Sequence, residues 1–137
     1  MSFSRWYVRR GRIDRQTWWL HYTLPLMLLA TLAGIADSSL GYPAPASEGW
    51  SIYTYTGGPL SLAVCLAFLA PSVTSIVARL HDRGHSAWWL LWLLVPGLGP
   101  LVVFIQNGFL VGQGGVNRYG PPPDEEVMAA QGMSATR

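Results

Sequence analysis

The hydrophobic positions of the chain fall into three long runs, and polar stretches separate them. The runs cover residues 18–36, 59–78 and 88–111, and none of them contains Asp, Glu, Lys or Arg. Roughly twenty residues at a rise of about 1.5 Å each are enough to cross a hydrocarbon core of about 30 Å. The pattern therefore predicts an all-α integral membrane protein with three hydrophobic segments.

The third run is broken by Pro and Gly at Pro96–Pro100, so it cannot form a straight helix. It is either one kinked span or a re-entrant hairpin with its tip at residues 97–99. Arms of about eight and eleven residues are each too short to span, so the length of the run favours the kinked span.

The polar stretches set the expected orientation. The N-terminal segment 1–17 contains five Arg, the loop 37–58 none, and the loop 79–87 two. The positive-inside rule places the N-terminus and the loop 79–87 in the cytoplasm and the loop 37–58 outside. A kinked third span puts the polar tail 112–137 outside, whereas a hairpin returns it to the cytoplasm. Arg118, close after the third run, mildly favours the hairpin.

The N-terminal segment has helical spacing at Phe3, Trp6, Tyr7 and Arg10. That spacing suits a short helix lying on anionic lipid, although a solvated basic tail fits equally well. Further along, Pro25 and Pro71 lie inside the first two runs and are expected to disturb them.

The stretch between the second and third runs carries most of the candidate chemistry, with the sequence ARLHDRGHSAWW at residues 78–89. Arg79, Asp82 and Arg83 share a helical face and can pair, and Gly84 is placed to end that helix. His81, Asp82 and His85 are weak candidates for metal ligands. Gly84 interrupts their helix and the ligand set is short, so a polar turn with Arg–Asp pairs is favoured and no metal or cofactor is predicted.

The composition limits the classes of function. Charged residues make up 12% of the chain, against about 25% in soluble domains. All the basic residues are Arg and lie beside the apolar runs, which indicates lipid headgroups rather than nucleic acid as their partner. The single Cys65 excludes an intramolecular disulfide. The predicted contacts to headgroups or a protein partner are Arg9, Arg10, Arg12, Arg15, Arg79, Asp82, Arg83, Trp88, Trp89, Asn117 and Arg118.

Several motifs together resemble a known family. They are GRIDRQTWW at residues 11–19, ARLHDRGHSAWW at 78–89, the broken apolar run, and NRYGP at 117–121. The pattern resembles domain-of-unknown-function family 805, the small YhaH-like proteins of the bacterial inner membrane. Members of this family usually have an aromatic residue directly before the Gly-Arg pair, and this chain departs from the pattern with Arg10. The resemblance implies a multi-pass protein of the bacterial inner membrane, and it supplies no activity and no catalytic residues.

Three hypotheses about function follow. The first is a non-enzymatic accessory or scaffold protein that contacts anionic headgroups, a larger membrane complex or further copies of itself. The second is a small oligomeric channel or transporter, because broken helices recur at ion sites. The third is a membrane enzyme acting on lipid through His81, Asp82 and His85. The first is favoured, because no run carries a formal charge of the kind that usually marks a transport path and no catalytic signature is present.

Overall fold

Two long helices form the frame of the protein. A computed structural model describes residues 3–43 and 57–125 of the chain. The helices of the described part are α1 (Phe3–Tyr7), α2 (Arg15–Ser39), α3 (Pro59–Asp82), a 3₁₀ helix (Ala87–Leu94) and α4 (Leu98–Gly108). Among these residues there is no strand beyond an isolated bridge between Asn117 and Gly120. The prediction of a mostly helical chain is confirmed, and α2 and α3 are long and apolar enough to cross a membrane.

Both frame helices extend beyond the predicted runs, and polar residues outside those runs accept bonds from the free N–H groups at their starts. Asp14 precedes α2, and its carboxylate accepts hydrogen bonds from the backbone N–H groups of Gln16 and Thr17. At the opposite end of the frame, Asp37 near the end of α2 accepts from the N–H groups of Leu60 at 3.1 Å and Ser61 at 2.7 Å. These N–H groups lack partners within their own helix, so Asp37 fastens the two helices together.

The end of α3 follows the sequence prediction. Gly84 has a φ of +74°, in the left-handed region that favours glycine. Its N–H donates to the carbonyl of His81, and the N–H of His85 donates to the carbonyl of Leu80. This pair of bonds is a Schellman motif. Gly84 is therefore confirmed as the residue at which the chain leaves α3.

The third hydrophobic segment folds back on itself. The 3₁₀ helix and α4 pack side by side, so closely that a Cβ on Gly99 would overlap the carbonyl oxygen of Trp92. Beyond α4, the N–H of Gln113 donates to the carbonyl of Asp82 at 2.9 Å, which returns the chain to the end of α3. The kinked span favoured on length is therefore wrong. The PGLGP sequence reverses the chain instead of bending one helix.

The two arms of this hairpin have nearly the same length. Eight residues of 3₁₀ helix at about 2.0 Å per residue give roughly 16 Å. Eleven residues of α-helix at about 1.5 Å give roughly 16 Å as well. Each arm is thus about half the thickness of a hydrocarbon core of about 30 Å.

The tip of the hairpin leaves few backbone donors unbonded. Pro96 and Pro100 have no N–H. The N–H groups of Val95, Leu98 and Gly99 bond to carbonyls within the hairpin at 2.9 Å each. Lipid cannot accept hydrogen bonds in its hydrocarbon region, and backbone there must be satisfied internally. The tip is therefore suited to an apolar environment.

The N-terminal helix α1 docks on carbonyls that lie near two prolines. Pro25 has no N–H, so the backbone bonding is interrupted where the π-helical turns Trp18–Thr23 pass into the α-helical part of α2, close to the carbonyl of His21. The indole N–H of Trp6 donates to that carbonyl at 2.8 Å. Pro71 frees the carbonyl of Ala67, which accepts from the hydroxyl of Tyr7 at 2.7 Å. Acceptors near the prolines thus hold α1 in place.

Replacing Tyr7 with Phe should lower the free energy of unfolding by about 1–3 kcal/mol, because the carbonyl of Ala67 loses its partner. In a Pro71→Ala background the cost should shrink, since the restored N–H can bond the same carbonyl. Thermal unfolding in detergent, followed by tryptophan fluorescence, measures all four variants of this double-mutant cycle. Additive effects of the two substitutions would contradict this account.

Some sequence predictions lie outside the described residues. These include most of the predicted external loop, at residues 44–56, and the end of the polar tail, at residues 126–137.

Candidate functional site

Polar residues from distant parts of the sequence meet where α2 begins and α3 ends. They come from the segment before α2, from the end of α3, and from the segment that follows the hairpin. At their centre lie Arg12, Asp82 and Arg79, whose exposed fractions are 1%, 3% and 0%. We call these three side chains the buried charge cluster.

Arg12 connects the N-terminal segment to the end of α3 and to residues 113–120, which follow the hairpin. Its Nε donates to the Asp82 carboxylate at 3.0 Å. Its Nη1 donates to the carbonyls of Gly115 at 2.7 Å and Gly120 at 3.1 Å, and its Nη2 donates to the carbonyl of Gln113. One guanidinium therefore organises the irregular segment after the hairpin.

Asp82 also pairs with Arg79, so a single carboxylate bridges two buried guanidiniums. The pairing of Arg79 with Asp82 was predicted and is confirmed. Arg79 carries further bonds to the carbonyls of Asn107, at 2.9 Å, and Leu110. The cluster thus contains two positive charges and one negative charge, and backbone carbonyl dipoles supply the remaining negative potential.

The arginines also satisfy the end of α4, whose last carbonyls have no partner within the helix. Consecutive carbonyls there accept bonds from side chains of other elements. The pairs are Arg83 to Gln106 at 3.3 Å, Arg79 to Asn107 at 2.9 Å, Trp19 to Gly108 at 3.0 Å and Arg15 to Phe109 at 3.1 Å. Arg83 was predicted to share in the pairing with Asp82. Instead, it helps to fasten the returning arm of the hairpin.

The turn at residues 117–120 packs against the end of α3 and completes the site. The Asn117 side chain donates to the carbonyl of His81 at 2.9 Å, and Arg118 donates to the carbonyl of Gly84 at 3.0 Å. The ring of Tyr119 stacks on His81 with centroids 3.8 Å apart. This segment is therefore docked on the end of α3, on the same face as Arg12.

The three candidate metal ligands have separate partners. His81 stacks on Tyr119, His85 packs against Trp89 with ring centroids 4.2 Å apart, and Asp82 pairs with two arginines. Within residues 3–43 and 57–125 there is no group of three or more side chains suited to hold a metal. Burial, together with the neighbouring guanidiniums of Arg83 and Arg118, lowers the pKa of His85 below its ordinary value, so its imidazole is neutral at neutral pH.

The remaining predicted contact residues are distributed around this centre. Arg10 is exposed and has no hydrogen bond to the described residues, and Trp88 is 76% exposed. Arg9 is half-buried and bonds to the carbonyl of Arg12 at 3.4 Å. Contact with headgroups or a partner stays a prediction for the exposed side chains, whereas the buried charge cluster is enclosed by protein.

A cavity of about 450 Å³ lies beside the cluster. Asp14, Arg15 and Gln16 form one wall, Arg79 and Asp82 another, and residues 111–114 and 122–125 the rest. Asp124 and Glu125 also line the cavity, and the sequence analysis did not predict them as site residues. Their only signal was a short acidic run after three prolines.

The convergence of the three motifs at one site agrees with the comparison to known families. Residues 7–121 match the family described as "Protein of unknown function (DUF805)". The chain belongs to this family. The match begins at Tyr7 and ends directly after the turn that Arg12 holds, so it includes every segment that contributes to the buried charge cluster of this DUF805 protein.

Two relatives of this DUF805 protein are known from Escherichia coli K12. Inner membrane protein YhaH is 33% identical over 129 residues, covering 88% of this chain and 98% of its own. Uncharacterized protein YiiR is 27% identical over 161 residues, covering 98% of this chain and 99% of its own. No solved structure gives a significant match.

The interactions that sequence reasoning missed in this DUF805 chain are mostly bonds from side chains to backbone. Arg12 was grouped with the other basic residues of the N-terminal segment, yet it makes five bonds to distant residues. Every residue has a backbone carbonyl, so the residue types in the sequence do not show which carbonyls accept bonds from Arg12. Pro25 and Pro71 were expected only to disturb their helices, and the bonds from Trp6 and Tyr7 to carbonyls near them were not predicted.

Proposed function

We propose that this chain is a non-enzymatic accessory or scaffold protein of the bacterial inner membrane, held with its arginine-rich face against anionic headgroups. The family and the naming of YhaH as an inner membrane protein support the location. The observation that carries the role is the buried charge cluster. Its charged groups are saturated by bonds within the protein, so the site serves to hold segments together rather than to bind a reacting molecule.

The proposed topology places the N-terminus, the end of α3 and the turn at 117–120 on the cytoplasmic side. The arginine counts support this side through the positive-inside rule. The bond between Gln113 and Asp82 keeps the segment after the hairpin on the same side. The hairpin then enters the cytoplasmic half of the bilayer, to a depth that its arms of about 16 Å can reach.

Exposed side chains around this face supply the proposed contacts. Arg10 and Arg118 are exposed, and Trp88 has an amphipathic ring suited to the headgroup level. Basic residues near an anionic surface are each worth about 1 kcal/mol of attraction. These residues are therefore the proposed contacts with phosphatidylglycerol or cardiolipin.

Extraction of the protein in polymer discs, followed by mass spectrometry of the surrounding lipid, tests this proposal. The wild type should be enriched in anionic lipid over the bulk membrane. Arg10→Gln with Arg118→Gln should lower that enrichment by up to about thirtyfold, because two arginines at about 1 kcal/mol each contribute about 2 kcal/mol. The control carries Lys at both positions and keeps the charge, so it should retain most of the enrichment. Equal enrichment in all three proteins would refute the proposed headgroup contact.

The accessory role also requires association with protein. In each candidate span only 11% of the most apolar stretch is buried, so most of its surface is open to lipid or a partner. A photo-crosslinking residue at Leu66, which is 64% exposed on α3, should therefore capture protein. Capture of lipid alone, with a single chain in each disc, would contradict a scaffold.

A further inference from the structure

The cavity beside the buried charge cluster lies at the proposed membrane surface. Arg15 on one wall begins α2, the first candidate span, and Val111 on another wall follows the hairpin. Val111 is 78% exposed and Phe109 close before it is 58% exposed. An apolar surface therefore leads from the cavity toward the hydrocarbon region.

The carboxylates of the cavity divide into occupied and free groups. Asp82 is bonded to two arginines, and Asp14 caps α2. Asp124 and Glu125 are exposed and form no ion pair within the described part of the chain. The cavity consequently presents free negative charge on the wall formed by residues 122–125.

Arg15 provides a complementary positive charge. It is exposed, and its Nη1 donates to the carbonyl of Phe109. Its other N–H groups have no partner among the described residues and can bind an anionic oxygen. A ligand that satisfies the cavity would carry a cationic group for the carboxylates and an anionic group for Arg15.

We propose that this cavity binds the headgroup of an aminophospholipid of the phosphatidylethanolamine type, with its ammonium at Asp124 and Glu125 and its phosphate at Arg15. This inference rests on the proposed membrane-face function and names the lipid that one part of the face selects. A volume of about 450 Å³ lies within the range of about 300–1,000 Å³ typical of small-ligand sites. The acyl chains would follow the exposed surface at Val111 and Phe109.

The lining also distinguishes between lipid amines. Among residues 3–43 and 57–125 no aromatic side chain lines the cavity, whereas quaternary ammonium groups are usually recognised by aromatic cages. A primary ammonium has N–H donors that carboxylates can accept, and a choline headgroup has none. The cavity should therefore prefer ethanolamine over choline headgroups.

Native mass spectrometry of the full chain in detergent, with equal amounts of phosphatidylethanolamine, phosphatidylcholine and phosphatidylglycerol, tests this selection. The wild type should retain phosphatidylethanolamine about tenfold better than phosphatidylcholine, as expected for one charge-assisted contact. Asp124→Asn with Glu125→Gln should abolish this preference. These substitutions are exposed, and an unchanged near-ultraviolet circular dichroism spectrum would verify folding.

The Arg10→Gln, Arg118→Gln protein is the matched control, because neither arginine lines the cavity. It should lose phosphatidylglycerol and keep the preference for ethanolamine, so failure of the cavity is distinguishable from failure of the general headgroup contact. Equal retention of ethanolamine and choline lipids by the wild type would overturn the inference, as would a preference that survives in the Asp124, Glu125 variant. Soluble glycerophosphoethanolamine binding as tightly as the lipid would overturn the assignment to a membrane lipid.

Discussion

Replacing Asp82 with Asn is expected to lower the free energy of unfolding by about 3–5 kcal/mol, the usual cost of leaving buried charge uncompensated. Arg12 and Arg79 would remain buried without their common carboxylate. Folded proteins are stable by only about 5–15 kcal/mol, so much of the protein should fail to accumulate. The measurement is the melting temperature of a purified fluorescent fusion, together with its level in membranes.

The matched control for this substitution is Asp124→Asn, which makes the same chemical change at an exposed carboxylate. In detergent without added lipid it should leave the melting temperature unchanged, because no bound headgroup then contributes to stability. The double variant Arg79→Gln, Asp82→Asn should lose less than the sum of the two single variants, because the groups belong to one network. An Asp82→Asn protein as stable as the Asp124→Asn control would refute the structural role of the cluster.

Replacing Gly99 with Ala should be nearly as damaging, with an expected cost of about 3 kcal/mol from overpacking. The added Cβ would overlap the carbonyl oxygen of Trp92, a backbone atom that a rotamer change cannot move. The two arms of the hairpin would have to separate. Thermal unfolding of the purified variant measures the loss.

Two other glycines calibrate this result. Gly114→Ala should be neutral, because a Cβ there meets nothing within 4 Å. Gly97→Ala should fall between the two, since its φ of +75° strains any residue with a side chain by about 1–2 kcal/mol.

In the wild type, a reporter fused after Arg137 should lie on the same side of the membrane as the N-terminus. Reporters on opposite sides would contradict the hairpin.

The helices could be predicted from the sequence because their signals are local. Apolar runs of sufficient length, Pro59 in a first helical turn and Gly84 after a last one all act within a few residues. The hairpin could not be decided in this way. Its length allowed a span, and the close packing of Gly99 on Trp92 across the two arms has no local signal in the sequence.

The site was predicted as a set of residues and not as a geometry. The sequence predicted Arg12, Arg79 and Asp82 on one membrane face, and the structure shows that the three side chains meet. It gave no sign that Arg12 would be buried, because a basic residue in a basic segment is usually solvated. Burial follows from the carbonyls of residues 113–120, which are distant in sequence and carry no distinguishing side chain.

The docking of α1 has a consequence for the order in which the chain assembles during synthesis. Trp6 and Tyr7 need the carbonyls of His21 and Ala67, which lie on two different helices. Arg12 needs acceptors as late as Gly120. Trp6 and Tyr7 therefore cannot dock until Ala67 has been translated, and Arg12 cannot complete its bonds until Gly120 has been translated.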